Sequence, residues 1–295
     1  MNLNSKHLLQ RNNKVLAAIR FILLFLLVFI MKERMPAVAG QFYPGTREEL
    51  ERMLRMLFRN EQIKQLAYEA IVPHAGYIYS GKVAAKVFAK IKKAETFVIL
   101  SPNHTGLGSE ISVSESASWV TPLGELSVNI KLAEEIVSNS SANFDELAHI
   151  EEHSIEVLLP FIQHLFKKAS IVPITIGTTS FDELDKLAEA LFKASQKHKF
   201  CLIASSDFSH FVPLKFAKEK DMEAIEYIKR LDAEGFYNIV AERRLSICGH
   251  APITTTLIYC KKRGRREGRL LKYDTSASRT GDTSNVVGYA GIIFL

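Results

Sequence analysis

Cysteine is scarce in this chain: Cys201, Cys248 and Cys260 are the whole complement, and no C-x-x-C pair occurs. That excludes a disulfide framework, favours a reducing compartment and leaves each thiol to be read singly. An excess of charge is also missing once the charge is located. Of the formal net +6, residues 1–30 supply +4 through Lys6, Arg11, Lys14 and Arg20, with no acid among them. The remainder holds 34 basic and 32 acidic residues, so charge gives no general case for a nucleic-acid partner. A long apolar run is lacking too. The uninterrupted stretch 21–31 spans eleven residues, against about 20 for a membrane-crossing helix. No repeat, low-complexity tract or Pro/Gly-rich linker divides residues 35–295, which leaves one domain.

What the first thirty residues do contain is "VLAAIRFILLFLLVFIM" (15–31), with basic residues ahead of it and no small-x-small cleavage site behind it. Composition changes abruptly at Met31. We therefore expect residues 1–30 to lie upstream of a natural start at Met31, ahead of one cytoplasmic α/β domain over 31–295. The rival expectation is a membrane anchor through 15–31, with Arg20 snorkelling. A local run, "KKRGRREGR" (261–269), is strongly basic. Lying between an expected helix and an expected strand, it is read as a solvated connector.

Strand and helix patterns then alternate. "TREELERMLRMLF" (46–58) carries a capping box at Thr46 and Glu49 and an apolar face. Short buried strands are expected at 69–73, 96–102, 170–177 and 199–205, with helices at 81–93, 129–138, 152–167 and 180–196. Pro160 is expected to kink the third helix, and Ser180 with Glu183 to cap the fourth. Helices near 216–230, 232–243 and 250–262 and strands near 269–275 and 285–294 follow. The fold class is α/β: a single domain with a central mixed, largely parallel sheet flanked by helices.

In such sheets ligands bind beyond the C-terminal ends of the strands. There the sequence becomes chemically rich. His74 ends the first strand in "PHAGYIYSG", His104 the second in "SPNHTG", and Asp207 and His210 follow the strand at 199–205 in "SSDFSH". A fourth segment, "SICGHAP", sets Cys248 and His250 at the start of a helix, and "EEHSIE" adds His153. A single histidine beside Gly and Pro is more often a turn residue than a ligand. Three loops that topology brings to one edge are harder to dismiss, because loops on a rigid sheet carry binding and catalytic groups.

Two chemistries suit the set. His74 and His104 could hold a first-row metal with Asp207 or Cys248 as the anionic ligand, the thiol being acidified by its helix N-terminus. Alternatively Cys248 is the nucleophile of a hydrolase, with His210 or His250 as base and Asp207 orienting the imidazole. A third reading is a metal-free module that captures a peptide or anionic ligand in the same crevice. Tyr77 and Tyr79 fall near its mouth.

The motifs "PAVAGQFYP" (36–44), "PHAGYIYSG", "LSPNHTG", "EEHSIEVLLPF", "SSDFSH", "CGHAPI" and "YDTS…VVGYAG" (273–291) together resemble the Memo family, whose prokaryotic members are labelled AmmeMemoRadiSam system protein B. The resemblance spans about residues 34–295, with its motifs in order. It implies a fold related to the protocatechuate-type extradiol dioxygenases, hence a metal-dependent oxidoreductase ancestry. By motif, His74, His104 and Cys248 fall at the metal-ligand positions, Cys248 standing where the dioxygenases have a carboxylate. His210 falls at the acid/base position, with Asp207 and His153 beside it. The implied cofactor is a copper or iron ion, with zinc as a further fit. The implied partners are a small molecule or peptide and, by association of the family label, radical-SAM and AMMECR-type proteins.

Overall fold

The computed structural model describes residues 33–295, so the extension and its two alternatives lie outside the described residues. Strand β1 (Glu33–Arg34) leads to helix α1 (Arg47–Phe58), β2 (Glu69–Val72), α2 (Tyr77–Phe88) and β3 (Thr96–Pro102). Short strands β4 (Ile111–Val113), β5 (Ser118–Thr121) and β6 (Gly124–Ser127) precede α3 (Ile130–Ser138) and β7 (Asn143–Phe144). A 3-10 turn at Glu156–Leu158 opens into α4 (Leu159–Leu165), followed by β8 (Ser170–Ile176), α5 (Phe181–Ser195), β9 (Phe200–Ser205) and β10 (His210–Val212). Helices α6 (Leu214–Lys229), α7 (Ala233–Glu242) and α8 (His250–Lys262), strand β11 (Gly268–Thr275), short helix α9 (Ala277–Thr280) and β12 (Val286–Phe294) complete the order. Among the described residues no helix is long and apolar enough to cross a membrane.

The centre is a nine-stranded mixed sheet. Strands β2, β9, β3 and β8 lie side by side in parallel, and β12 joins β2 antiparallel. Strand β3 is buried at every residue, as expected where helices cover both faces and the run "TFVILSP" need not alternate. Phe97 and Ile99 pack with residues of α1, α2 and α4 on one face, whereas Val98 and Leu100 pack with α3, α5, α6, α7 and α8 on the other. This is the α/β sandwich expected from the sequence, with the hairpin β5–β6, which the apolar pattern does not announce, added at its side.

Three local expectations need correction. Thr46 does cap α1, accepting from the Glu49 N–H and donating to the Glu49 carboxylate at 2.9 Å. The Ser180 hydroxyl, by contrast, makes no cap bond, and α5 begins with only Asp182 and Glu183 to complement its positive end. The helix expected over 152–167 is shorter, and Pro160 sits in its first turn, where a missing N–H costs nothing, rather than kinking its interior. Residues 151–155 stay out of the helix, and Glu152 is committed elsewhere.

A buried ion pair fastens the first described strand to this segment. Arg34 pairs with Glu156, donates from Nε to the His149 carbonyl at 3.1 Å and from Nη2 to the Glu152 carbonyl at 2.6 Å. Its guanidinium lies 4.5 Å from the Trp119 ring centroid. The Glu156 carboxylate also accepts from Ala37 N–H (2.7 Å), Val38 N–H (3.0 Å) and Tyr43 Oη (2.5 Å). Four polar groups thus depend on one fully buried carboxylate. Replacing Glu156 by Ala leaves Arg34 an uncompensated buried charge, and urea unfolding should show a loss of about 3–5 kcal/mol. A loss under about 1 kcal/mol would mean the network contributes no more than a surface pair.

Candidate metal centre

Because β2, β9 and β3 are adjacent and parallel, with Val72 opposite Ser205 and Leu100 opposite Ala204, their C-terminal ends form one edge. His74, Asp207 and His104 each stand two residues past the end of one of these strands. The fourth segment reaches the same edge from α8. Gly249, just ahead of that helix, allows the approach: a Cβ there would lie 2.4 Å from Ser206 Cβ and 2.5 Å from the Ser205 carbonyl oxygen. In its place the Gly249 N–H donates to Ser206 Oγ at 3.0 Å. Cys248 is thereby set with Sγ 3.4 Å from His74 Nε2 and 3.3 Å from the Asp207 backbone nitrogen. His74, His104 and Cys248 each offer one ligand atom, and these atoms lie within 4.8 Å of one another.

The tautomers follow from the partners. Ser205 Oγ donates its proton to the Ser154 carbonyl at 2.7 Å, so at 2.8 Å it must accept from His74 Nδ1–H. His104 Nδ1 faces Glu152 Oε1 at 2.9 Å and donates to that carboxylate. His210 Nδ1 lies 2.7 Å from the Ser246 carbonyl, which only accepts. All three rings therefore turn an Nε2 lone pair away from the scaffold, the arrangement that outer partners impose on metal-binding imidazoles.

Glu152 accepts four hydrogen bonds. Oε2 accepts from the His104 N–H at 2.6 Å, while Oε1 takes His104 Nδ1, the Ser154 N–H (3.0 Å) and Ser154 Oγ (2.8 Å). Burial opposes its ionisation, but the hydrogen bonds donated by the His104 ring and by the backbone N–H groups of Ser154 and His104 outweigh it and hold the acid at about 2. With its lone pairs so engaged, Glu152 orients His104 rather than offering a ligand, although His104, Glu152 and His153 also form a compact group. His153 stacks on His104 with ring centroids 4.7 Å apart and meets His74 edge-on at 5.5 Å. Burial pushes His153 down, and pushes His74 well down, with the neighbouring imidazoles adding to the effect on His74. His74 is fully recessed, whereas the His104 side chain is about one-third exposed, so the crevice opens on the His104 side.

Two expectations change here. The helix N-terminus does not acidify Cys248. Burial pushes the thiol well up and the Asp207 carboxylate pushes it further, against the opposing N–H groups of Asp207 and Gly249. Asp207 does not orient an imidazole either; its Oδ1 accepts the backbone N–H of His74 at 2.9 Å, and burial raises its own acid to about 6. His250 bonds to the Ile247 carbonyl at 3.3 Å, so the imidazole beside the thiol is that of His74. Tyr77 is buried with its hydroxyl on the Val157 carbonyl, and Tyr79 remains exposed.

The sequence did not single out Ser205, Ser154 or Asp221. Asp221 Oδ1 accepts from Ser209 N–H (3.0 Å) and Oγ (2.6 Å), Oδ2 accepts from Tyr273 Oη (2.7 Å), and the loop before His210 is fixed by it. The one available signal for Glu152 was its place next to His153, and Glu151, one residue earlier, is the same residue type.

With this geometry in view, comparison with known proteins is informative. A family profile described as Memo-like protein matches residues 34–293. A MEMO1 family protein of Methanosarcina mazei is 46% identical over 268 residues, covering 89% of this chain and 99% of that one. One of Desulfurococcus amylolyticus is 43% identical, covering 90% and 99%. Another, of Aquifex aeolicus, is 39% identical, covering 90% and 100%.

The raised thiol gives a direct test. In metal-free protein Cys248 holds less thiolate at pH 8 than free cysteine, so iodoacetamide should label it more slowly than a cysteine peptide, read by mass spectrometry over a pH series. Labelling faster than the peptide would show an acidified thiol instead.

Proposed function

The chain belongs to the Memo family, and on that premise we propose that it is a metal-binding protein in which His74, His104 and Cys248 hold one first-row ion. The observation that carries this reading is that two imidazoles with their Nδ1 atoms engaged and one thiol bring their ligand atoms within 4.8 Å. Two imidazoles and a thiolate suit copper, iron or zinc and do not suit magnesium or calcium. Bound there, a redox-active ion would supply electron transfer and Lewis acidity at an open coordination position.

The residues around it have definable tasks. Cys248 would give up its proton to serve as a ligand, and a cation there would offset the penalty of a thiolate next to Asp207, so uptake would strengthen as pH rises. Glu152 holds the His104 ring in the ligating tautomer. His210 presents Nε2 as a proton acceptor on the Asp207 wall. His153, stacked on His104, narrows the open side of the crevice. A proton acceptor beside a redox-capable ion is the equipment of an oxidoreductase acting on a small molecule that enters past His104. The hydrolase reading loses ground on the thiol, which its surroundings hold protonated where a nucleophile needs the opposite.

Metal analysis of anaerobically purified protein should find about one equivalent of copper, iron or zinc, lost in Cys248→Ser and in His74→Ala. Glu152→Gln keeps all three ligands and should weaken affinity by about 10–100-fold. Wild-type protein that takes up no metal after reconstitution with Fe(II), Cu(I) and Zn(II) would overturn the proposal and leave a metal-free ligand pocket.

A further inference from the structure

Residues 33–295 carry 33 Lys and Arg against 32 Asp and Glu, and the fold sorts them. Five connections enter the N-terminal ends of strands: 59–68 into β2, 89–95 into β3, 166–169 into β8, 196–199 into β9 and 263–267 into β11. Together they hold 12 Lys and Arg against 3 Glu. At the site end, loops 73–76, 103–110, 145–155, 177–180 and 206–209 hold 6 Asp and Glu and neither Lys nor Arg, while 243–249 and 276–285 add 3 Arg and 1 Asp. Near-neutrality of the sequence therefore conceals a strongly basic pole opposite the crevice.

The five connections are spatial neighbours. Strands β11 and β2 pair with the same residue of β12, Ile292, and so flank it on opposite sides; β9, β3 and β8 follow in order. Six strands at the usual spacing make a row about 24 Å wide. Among the described residues, Lys64, Lys92, Lys93, Lys167, Lys168, Lys199, Arg263 and Arg266 form no ion pair with a carboxylate. The run at 261–269 is thus part of a larger cationic face rather than an isolated connector.

Within the face is a cavity of about 290 Å³, bordered by Tyr68, Lys197, His198, Lys199 and Arg263. Its one carboxylate, Glu69, is occupied by Arg265 through two bonds of 2.9 Å. Arg263 Nε is shielded from solvent and has no hydrogen-bond partner among the described residues, a donor left for an acceptor from outside. The Tyr68 ring has Lys92 Nζ 4.9 Å and Lys199 Nζ 5.2 Å from its centroid, so an aromatic surface and its flanking cations sit together.

We propose that this face binds the phosphate backbone of a single-stranded nucleic acid, with one nucleotide seated in the cavity beside Tyr68 and Arg263. Cations spread over five connections are too dispersed for one small anion and match successive phosphates of an extended strand. The recessed donors favour a flexible strand, which can enter, over the plane of an anionic membrane, which cannot. The surface lies at the far end of the strands from His74, His104 and Cys248, and its function is independent of the metal.

The test is fluorescence anisotropy of the full chain with a labelled oligonucleotide of about 20 residues, titrated over a KCl series. Log affinity should fall against log salt with a slope of about −2 to −4, as neutralising three to five phosphates requires. Reversing four exposed cations of the face (Lys93→Glu, Lys168→Glu, Lys199→Glu, Arg266→Glu) should weaken binding at least about tenfold. An equal charge change elsewhere (Lys82→Glu, Lys186→Glu, Lys215→Glu, Lys218→Glu) should cost less than about threefold. Thermal melts establish that both fold; the milder pair Lys199→Ala and Arg266→Ala replaces the first set if it does not, with a smaller loss in the same direction expected. Equal loss in both sets, no wild-type binding at about 0.1 M salt, or displacement of the oligonucleotide by phosphatidylserine vesicles would overturn the proposal.

Discussion

One carboxylate buried from solvent, that of Glu152, governs the shape of the site. Glu152 stays ionised in the interior because both the ring and the backbone of His104, together with Ser154, donate to it. A buried charge so paired is expensive to move. It cannot shift without stranding the loop after β3, and that loop cannot shift without undoing the carboxylate. The backbone carbonyl of the same residue is held by Arg34, which in turn is paired with Glu156. Strand β1, the 36–43 segment, the 152–156 turn and His104 therefore form a single rigid assembly on one wall of the crevice.

The opposite wall is built on different chemistry. Here the buried groups resist charge: Asp207 has its acid raised to about 6, and the Cys248 thiol is pushed up further by that carboxylate. His74 is kept neutral between them. Such a wall has its preferred state only when positive charge is supplied from outside, because a cation at Sγ stabilises thiolate and carboxylate together. One wall is rigid and balanced in charge, the other made of groups that burial keeps from ionising. The proposed metal site lies where they meet.

Much of this was legible in the sequence, and for physical reasons. Strand ends marked by Pro73 and Pro102, and the parallel order expected of alternating strands and helices, were enough to bring His74, His104 and Asp207 to one edge. The signs of the pKa shifts were not legible. A thiol one residue ahead of a glycine and a helix reads as acidified, and only the packing of Gly249 against Ser205 and Ser206 shows that it is set, half-buried, beside the Asp207 carboxylate. Glu152 and Glu151 could not be told apart because adjacent residues of an irregular turn have no period to separate them. Ser205, the last residue of a buried strand, carries no outward sign that its hydroxyl sets a tautomer. The Pro160 helix failed as a kink because the competing hydrogen bonds of Glu152 delay the helix start until proline is harmless.

The charge pattern exposes a further limit of linear reading. A parallel sheet separates its connections into two populations: those leaving strands and those entering them lie at opposite ends, yet they alternate along the chain. Summed in sequence order, acids at one end cancel lysines at the other and the total approaches neutrality. In space nothing cancels, since the two ends are separated by strands of six or seven residues, about 20 Å and well beyond the screening distance at physiological salt. The result is a molecule with an acidic rim around the proposed metal site and a basic rim at the opposite end. The alternation of the α/β fold allows the two surfaces to be tuned separately, because no connection contributes to both.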